Sequence, residues 1–293
     1  MTELQKKEFE MLCLVVDICN QLDLEYYLVC GSALGAVKYN GFIPWDDDVD
    51  VALPRKDYEL FLSKASSMLP SWCFVQNYRT DPKFPLLGTK LRNSETTFIE
   101  FMCTELDINH GVFIDVFPLD GYNYSKKNQS LLSKKRHTFD AARRVNLTYR
   151  RFSLSGMRPV RGLYYYAMNR LFGLYGDTSK AVKNFDDFVA SLNAENAQMW
   201  CNHANSASSV EFAPREQYGK GAWATFEGLK VRVPEKYDEY LTQKYGDWRA
   251  ELPPEQQVGH HYAEVIDLNR PYTDYIEKLP KGKIRIKALK EHG

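Results

Sequence analysis

Two spacings of hydrophobic residues organise the first part of the chain. Apolar residues three or four positions apart predict two amphipathic helices, one over residues 3–22 and one from about residue 58 to Pro70. In DVDVAL (48–53), charged and aliphatic residues alternate, which is typical of a strand. Short apolar runs predict further strands at EYYLVCG (25–31), CFVQNY (73–78), GTKLRN (88–93), TTFIEF (96–101) and VFIDVFPL (112–119). This order predicts a mixed α/β (α+β) fold with a small sheet.

The segment after residue 122 differs in composition from the first part. Between residues 126 and 170 there are 12 Lys and Arg residues, and Asp140 is the only acid. The stretch VRGLYYYAMNRLFGLYG (160–176) is apolar on every side, so the helix it predicts is either deeply buried or lies against lipid. We therefore predict a core at residues 1–122, a basic, aromatic, mostly helical insert at 123–215, and a C-terminal segment at 216–293 that packs back on the core.

Composition excludes several classes of protein. The 293 residues carry 38 basic and 38 acidic side chains, so net charge indicates no particular partner. None of the six Cys residues forms a C-x-x-C pair, which favours reduced thiols in a cytoplasmic protein. The N-terminus lacks the apolar region of a signal peptide, and no run of 18 apolar residues predicts a membrane span. Neither a motif nor overall basicity indicates nucleic acid as a partner.

The stretch WDDDVD (45–50) places four carboxylates immediately before an apolar strand. Residues i and i+2 of a strand point to the same face, so Asp48 and Asp50 are placed to share one hard cation. Mg²⁺, for which Mn²⁺ can substitute, typically takes one or two protein carboxylates together with substrate phosphate. Asp46 and Asp47 are weaker candidates for a second ion or a hydrogen bond. A solvated acidic loop is the alternative interpretation.

Two further features favour a metal and phosphate site. Asp115 lies among Phe, Ile and Val residues in GVFIDVFPLD, where an acid is costly to leave unpaired, so we predict it as a third carboxylate. Gly31 permits close approach of the backbone to a phosphate, and Ser32 offers a hydroxyl and an amide at a helix start. This order of strand, Gly-Ser turn, helix and two Asp-bearing strands resembles the nucleotidyltransferase superfamily, whose members hold the metal with three carboxylates.

The longest block, GSALGAVKYNGFIPWDDDVDVALPRKDYELF (31–61), resembles the LicD family of phosphocholine transferases, which includes the fukutin-related proteins. The resemblance implies a nucleotidyltransferase-like core carrying the basic helical insert. Lys38 and Tyr39 depart from the Arg and His usual in the family, which puts substrate identity in doubt and not the reaction class. The resemblance continues in GTKLRNSETTFIE (88–100), GVFIDVFPLDG (111–121), FEGLKVRVPEKYDEYLTQKYGDW (226–248) and PPEQQVGHH (253–261).

The resemblance implies a phosphotransferase that uses a CDP-alcohol. CDP-choline is the expected donor, a cell-surface glycan or teichoic-acid precursor the expected acceptor, and CMP the product. Asp48, Asp50 and Asp115 would hold Mg²⁺ or Mn²⁺ against the donor diphosphate. Asp115 would also accept the proton of the acceptor hydroxyl.

Four other residues are candidates for donor binding. Lys38, Lys90 and Arg92 are predicted to neutralise the donor phosphates, with solvated surface charge as the alternative for each. Trp45 is predicted to stabilise a choline head group by cation–π attraction, with a loop-anchoring role as the alternative. His260 and His261 could contact phosphate, cap a helix or lie at the surface, and for Glu227 and Tyr237 we expect packing.

The basic segment has two interpretations. If the acceptor is a lipid-linked glycan, the Lys and Arg residues of 126–170 suit peripheral contact with an anionic membrane at the cytoplasmic face. A helical insert with a solvated basic face is equally consistent with the sequence.

Other functions are compatible with parts of the pattern. A nucleotidyltransferase attacking the α-phosphorus would show the same carboxylates. An Asp-x-Asp glycosyltransferase is disfavoured by the Gly-Ser turn and by Asp115. A non-catalytic binding protein is disfavoured because all three candidate carboxylates are present.

Overall fold

The computed structural model describes residues 1–122, 125–146, 167, 178–193, 196–204, 211–259, 262–280 and 283–287. The predicted helix at 160–176 lies outside these residues except for Ala167, and so do His260 and His261.

The described residues form seven α-helices, of which the first follows the predicted amphipathic pattern closely. Its N-terminus is a capping box, in which Thr2 Oγ1 accepts a hydrogen bond from Gln5 N at 3.1 Å and the Gln5 side chain accepts one from Thr2 N. The helices are α1 (Glu3–Gln21), α2 (Cys30–Lys38), α3 (Arg55–Met68), α4 (Lys126–Asn146), α5 (Thr178–Ser191), α6 (Arg215–Tyr218) and α7 (Tyr237–Tyr245).

Strands occupy most of the predicted positions, and together with the helices they confirm the mixed α/β fold. The strands of the described residues are β1 (Tyr27–Leu28), β2 (Asp50–Pro54), β3 (Cys73–Gln76), β4 (Thr89–Asn93), β5 (Thr97–Glu100), β6 (Val112–Tyr122), β7 (Met199–Asn202), β8 (Glu211–Pro214), β9 (Ala222–Phe226), β10 (Leu229–Val233), β11 (Ala263–Asp267), β12 (Ile276–Leu279) and β13 (Lys283–Ile286).

The main sheet is mixed and is centred on β6. Its strand order is β1-β2-β6-β4-β3, in which β2 and β6 are parallel and the other neighbours antiparallel. The end of β6 continues past these strands and pairs with β7, which in turn pairs with β8. One long strand therefore joins the first part of the chain to the segment after residue 196.

Alternation along the central strands separates an apolar face from a charged one. Val51, Leu91, Ile114 and Val116 are fully buried and belong to the core that also includes the inner face of α1. Their sequence neighbours point to the opposite face of the sheet. That opposite face carries the candidate site.

Two predicted strands have different bounds in the structure. The strand predicted at 25–31 contains only Tyr27 and Leu28, because the chain turns at Cys30 and α2 begins there. The strand predicted at 48–53 begins at Asp50, so Asp48 lies in the loop before it. The predicted start of this strand was therefore wrong by two residues, whereas the shared direction of the Asp48 and Asp50 side chains stays a prediction.

The helices after residue 125 are fixed to the core by buried charge. Arg55 at the start of α3 makes two hydrogen bonds of 2.8 Å with Asp120 of β6 and lies 2.9 Å from Asp186 of α5. Phe139 of α4 and Phe185 of α5 stack with their ring centroids 5.3 Å apart. None of the helices that the structure describes is long and apolar enough to cross a membrane.

The last described part of the chain contacts the core at several points. β11 pairs antiparallel with β5, and α7 packs against α2. Glu227 accepts a hydrogen bond from Phe42 N at 3.2 Å, in the loop that leads to β2, whereas Tyr237 is the partly exposed first residue of α7. The domain boundaries at residues 122 and 215 stay a prediction.

Candidate active site

Three charged residues stand side by side on the central strands. Asp50 of β2 pairs in register with Asp115 of β6, and Asp115 pairs in register with Lys90 of β4. Neighbouring strands lie about 4.8 Å apart, and residues in register point to the same face. Lys90 Nζ lies 3.2 Å from Asp115 Oδ2. The charged face of the sheet therefore carries a row of acid, acid and base, with Asp48 in the adjoining loop.

The turn into α2 has an unusual backbone at Cys30. This residue has a φ of 55°, a conformation that costs energy for a non-glycine residue and that clusters at functional sites. The turn is fixed by two contacts from α7. Cys30 N donates to the Tyr240 hydroxyl at 3.2 Å, and Lys244 Nζ lies 3.1 Å from Cys30 Sγ.

Gly31 and Ser32 lie directly against the acidic residues. The Ser32 hydroxyl accepts a hydrogen bond from Asp50 N at 2.8 Å, so it fixes the start of β2. A Cβ at position 31 would lie 2.7 Å from Asp46 Oδ2, so the close approach of the turn to the acidic loop (residues 45–49) requires glycine. The predicted proximity of the Gly-Ser turn to the carboxylates is present in the structure.

Lys90 faces the candidate site. Besides Asp115, its ammonium lies 3.5 Å from Glu100 Oε1 and 3.2 Å from the ring centroid of Phe113. Lys90 is therefore held next to the carboxylates by an aromatic ring and two acids.

Arg92 points along the same face but is fully buried. It donates to Gln76 Oε1 at 2.7 Å, to Gly111 O at 2.8 Å and to Glu100 Oε2 at 2.7 Å. All three guanidinium nitrogens thus have protein partners, so contact with a phosphate would require Arg92 to leave them. Its contribution in this arrangement is to fix Glu100 beside Lys90.

Helix α1 supports the acidic loop with two polar residues. Gln5 Nε2 donates to Asp46 O at 2.9 Å. Glu8 is 1% exposed, and its Oε2 has no hydrogen-bond partner. Burial, followed by the negative charges of the loop aspartates with Asp48 the strongest, raises the pKa of Glu8 well above its ordinary value. Glu8 was missed from the sequence, although helical spacing puts it on the apolar face of α1 with Leu12.

The segment that precedes His260 lies along the acidic loop. We call residues 250–259 the strap. Lys38 Nζ donates to Ala250 O at 2.8 Å and lies 3.1 Å from Glu251 Oε1. At the other end, a Cβ at Gly259 would lie 2.5 Å from Asp47 Oδ2, so a larger residue there would displace the Asp47 side chain. The structure therefore places Lys38 where it fastens the strap to the end of α2.

Trp45 lies at the start of the acidic loop and is half-buried. Its ring stands edge-to-face with Tyr39, with centroids 6.3 Å apart and ring planes at 76°. Both interpretations of Trp45, a cation-binding ring and a loop anchor, are compatible with this position.

The carboxylate set has the hard oxygen donors that Mg²⁺ prefers. Within the described ranges, however, no three side chains among Asp, Glu, His and Cys are arranged to hold a metal ion by themselves. Mg²⁺ usually takes only one or two protein carboxylates and completes its shell with water and substrate phosphate. Asp48, Asp50 and Asp115 therefore stay predicted ligands of an ion that would bind together with the donor.

Comparisons with known proteins identify one family that this chain resembles. Residues 23–157 match the sequence model of a family described as LicD/FKTN/FKRP, nucleotidyltransferase domain. The lipopolysaccharide cholinephosphotransferase LicD of Haemophilus influenzae is 26% identical over 293 residues, which cover 92% of this chain and all of that protein.

These matches identify the class of protein. The chain is an enzyme of the phosphotransferase class, as the family resemblance implied. Its similarity to the LicD family lies in the domain at residues 23–157. The family resemblance drawn from the motifs is thereby confirmed.

Proposed function

We propose that this enzyme transfers a phospho-alcohol, phosphocholine from CDP-choline first, to a cell-surface glycan or teichoic-acid precursor and releases CMP. The observation that carries the proposal is the row of Asp50, Asp115 and Lys90 beside the Gly-Ser turn. The similarity to a protein named as a lipopolysaccharide cholinephosphotransferase supports both the choline head group and a glycan acceptor.

Mg²⁺ or Mn²⁺ is the proposed cofactor. Asp48 and Asp50 would hold it, with Asp115 next to them and with Asp46 and Asp47 as weaker candidates. When bound, the ion would supply charge neutralisation for the donor diphosphate.

The chain's own residues would act on the acceptor and on the leaving group. The acceptor hydroxyl oxygen forms a bond to the phosphorus that carries the alcohol, and the bond from this phosphorus to the bridging oxygen breaks. CMP leaves with the electron pair, and the hydroxyl proton passes to a carboxylate oxygen of Asp115. Lys90, 3.2 Å from that carboxylate, is placed to offset negative charge during the transfer.

The three predicted phosphate ligands differ in their suitability. Lys90 is the best placed, because it lies in the row with Asp50 and Asp115. Lys38 is engaged at the strap, and Arg92 is enclosed by protein acceptors. We therefore propose Lys90 as the direct ligand, and positioning roles for Lys38 and Arg92.

Peripheral contact with an anionic membrane is a proposal about α4. Lys126, Lys127 and Lys134 of this helix are exposed, whereas Arg136 is buried and donates to His203 O at 2.7 Å. Each exposed Lys near an anionic surface contributes about 1 kcal/mol. Sedimentation with anionic vesicles should therefore succeed at low salt and fail at high salt, and an unbound protein at low salt would contradict the proposal.

Nucleotidyl transfer is the second candidate, because the matched family model is described as a nucleotidyltransferase domain. In that reaction the α-phosphorus is attacked, and the acceptor gains a nucleoside monophosphate. Mass spectrometry separates the two reactions, since only the first leaves a phospho-alcohol on the acceptor and free CMP in solution.

A panel of CDP-alcohols with Mg²⁺ tests the proposed function. Wild-type enzyme should release CMP from CDP-choline when a glycan acceptor is present, whereas Asp48→Asn and Asp50→Asn should be inactive but folded. Asp17→Asn on the exposed face of α1 is the matched control and should keep full activity. Near-normal rates for Asp48→Asn and Asp50→Asn at saturating Mg²⁺ would contradict the assignment.

A further inference from the structure

Two aromatic rings form a corner beside the acidic loop. Trp45 and Tyr39 are both half-buried, and their planes meet at 76° with centroids 6.3 Å apart. Two nearly perpendicular rings present a face and an edge to the same volume, which is how aromatic cages surround alkylated ammonium groups. Trp45 is the residue directly before Asp46, so the corner opens next to the predicted phosphate site.

A carboxylate completes the corner. Glu251 of the strap accepts a hydrogen bond from the Tyr39 hydroxyl at 3.1 Å and lies 3.1 Å from Lys38 Nζ. These two contacts lower the pKa of Glu251, with the contact from Lys38 contributing most, so the group carries a negative charge near neutral pH. The strap thus brings an acid from a distant part of the sequence to the aromatic pair.

The corner already accommodates a cation in this structure. Lys38 Nζ lies 5.4 Å from the ring centroid of Tyr39, within the range of cation–π attraction. The same ammonium is held by Ala250 O at 2.8 Å, so it belongs to the framework of the corner.

We propose that Trp45, Tyr39 and Glu251 form the binding corner for a quaternary ammonium head group, and that this corner makes the enzyme prefer choline over uncharged alcohols. The inference rests on the proposed function in one respect, that the bound head group belongs to a CDP-alcohol. Trp45 would present its ring face to the head group, Tyr39 would present a second ring, and Glu251 would supply negative charge.

Equilibrium binding separates this inference from the proposed reaction. Calorimetric titration of the full chain with CDP-choline and CDP-glycerol, in Mg²⁺, gives the ratio of their dissociation constants without any turnover. Wild-type enzyme should bind CDP-choline more tightly, and Trp45→Leu should reduce that preference by about threefold to thirtyfold. Glu251→Gln should also reduce it, whereas Trp45→Phe should keep most of it, because a phenyl ring still presents a face.

A matched control comes from the β9–β10 hairpin. Trp223 is 52% exposed and has Lys230 Nζ 4.4 Å from its ring centroid, so it is also a cation-contacting Trp, but it is not part of the corner. Trp223→Leu should leave the preference unchanged.

The titrations distinguish a failure of the binding corner from a failure of the proposed function. Equal binding of the two donors by wild-type enzyme, or equal losses for both donors in Trp45→Leu, would overturn the corner. A choline preference that depends on Trp45, in an enzyme that transfers nothing to a glycan, would support the corner and refute the proposed function.

Discussion

Strand β6 carries two buried aspartates, five residues apart, in different surroundings. Asp120 is 0% exposed and receives two hydrogen bonds of 2.8 Å from Arg55, the paired geometry of a structural ion pair. Asp115 is 9% exposed, receives a 3.2 Å hydrogen bond from Lys90 and lies beside Asp50. Two like charges in register repel, and the Lys90 ammonium beside them is shared with Glu100. We therefore assign the end of β6 with Asp115 to binding and the end with Asp120 to folding.

The surroundings of the proposed catalytic residue Asp115 differ from those of the structural residue Asp120. Around Asp120, Arg55 also contacts Asp186 and Glu59, so every charge of this cluster has a fixed partner on another element. Around Asp115, acids accumulate on the loop next to it, and the buried Glu8 adds another. The network at Asp120 holds helices together, whereas the network at Asp115 is the proposed site for a cation and phosphate.

Removal of the divalent ion is expected to have the largest effect: it should abolish activity at the Asp115 end of β6 and leave the fold at the Asp120 end intact. A chelator should lower CMP release from CDP-choline by about a thousandfold, because the ion offsets several kcal/mol of diphosphate charge in the transition state. Circular dichroism should be unchanged, since the cluster at Asp120 uses no metal. The assay is CMP release before and after Mg²⁺ is restored, and a rate that persists in the chelator would contradict the cofactor assignment.

Arg55→Met should lower stability through the Asp120 end of β6. Loss of one partner of a buried ion pair leaves Asp120 uncompensated and should lower the free energy of unfolding by about 3–5 kcal/mol. Arg249→Met is the control, because Arg249 is 60% exposed and its ion pair with Asp238 should be worth at most about 1 kcal/mol. Denaturant unfolding measures both, and equal losses would show that the cluster at Asp120 has no special role.

A buried histidine next to each network should make stability depend on pH. Burial lowers the pKa of His110 to about 4 and that of His203 to about 3. Each is neutral in the folded state, whereas the unfolded chain takes up a proton below about pH 6.5. Stability should therefore fall as the pH drops from 6.5 toward 4, by about 2 kcal/mol per histidine at pH 5.

Denaturant unfolding at pH 7, 6 and 5 checks this prediction. His203→Phe should lower by one the number of protons that the chain takes up on unfolding, which is read from the slope of stability against pH. The contribution of His110 to that slope should remain. An unchanged slope in that variant would contradict the neutral state of His203.

Glu8→Gln should give the smallest effect, and it should be stabilising. The raised pKa of Glu8 means that wild-type enzyme loses stability as the pH rises above about 4.3, the value of an unfolded Glu, whereas Gln does not titrate. The variant should match wild type near pH 4 and exceed it by on the order of 1 kcal/mol at pH 8 in a chelator. Glu10→Gln, on the exposed face of the same helix, should show no such gain in denaturant unfolding.

Local patterns predicted the elements that carry the site. The amphipathic spacing fixed α1 within one residue, and the apolar run around Asp115 became β6. The Gly-Ser turn lies next to the acidic loop as expected, because both flank strands that pair with each other. Such features depend on neighbours in the sequence, so they can be inferred from it.

The contacts that assign roles to residues join distant positions, and these could not be predicted. Lys38 was expected at a phosphate, but its partner Glu251 lies more than 200 residues away in the sequence. Arg92 is two residues from Lys90 and shares its face, and the fold buries both, but of these two only Lys90 lies next to Asp115. No spacing rule distinguishes Asp115 from Asp120, since only Arg55 on another element shows which of them is structural.

The rate of CMP release from CDP-choline by Asp115→Asn, compared with Asp120→Asn per folded molecule, tests the central claim most directly. Asp115→Asn should lose about a thousandfold in rate per folded molecule, and its free energy of unfolding should fall less than that of Asp120→Asn, because Lys90 keeps its contact with Glu100. Asp120→Asn should unfold more easily but keep the wild-type rate where it is folded. A near-normal rate for Asp115→Asn at saturating Mg²⁺ would contradict the assignment of this end of β6 to catalysis.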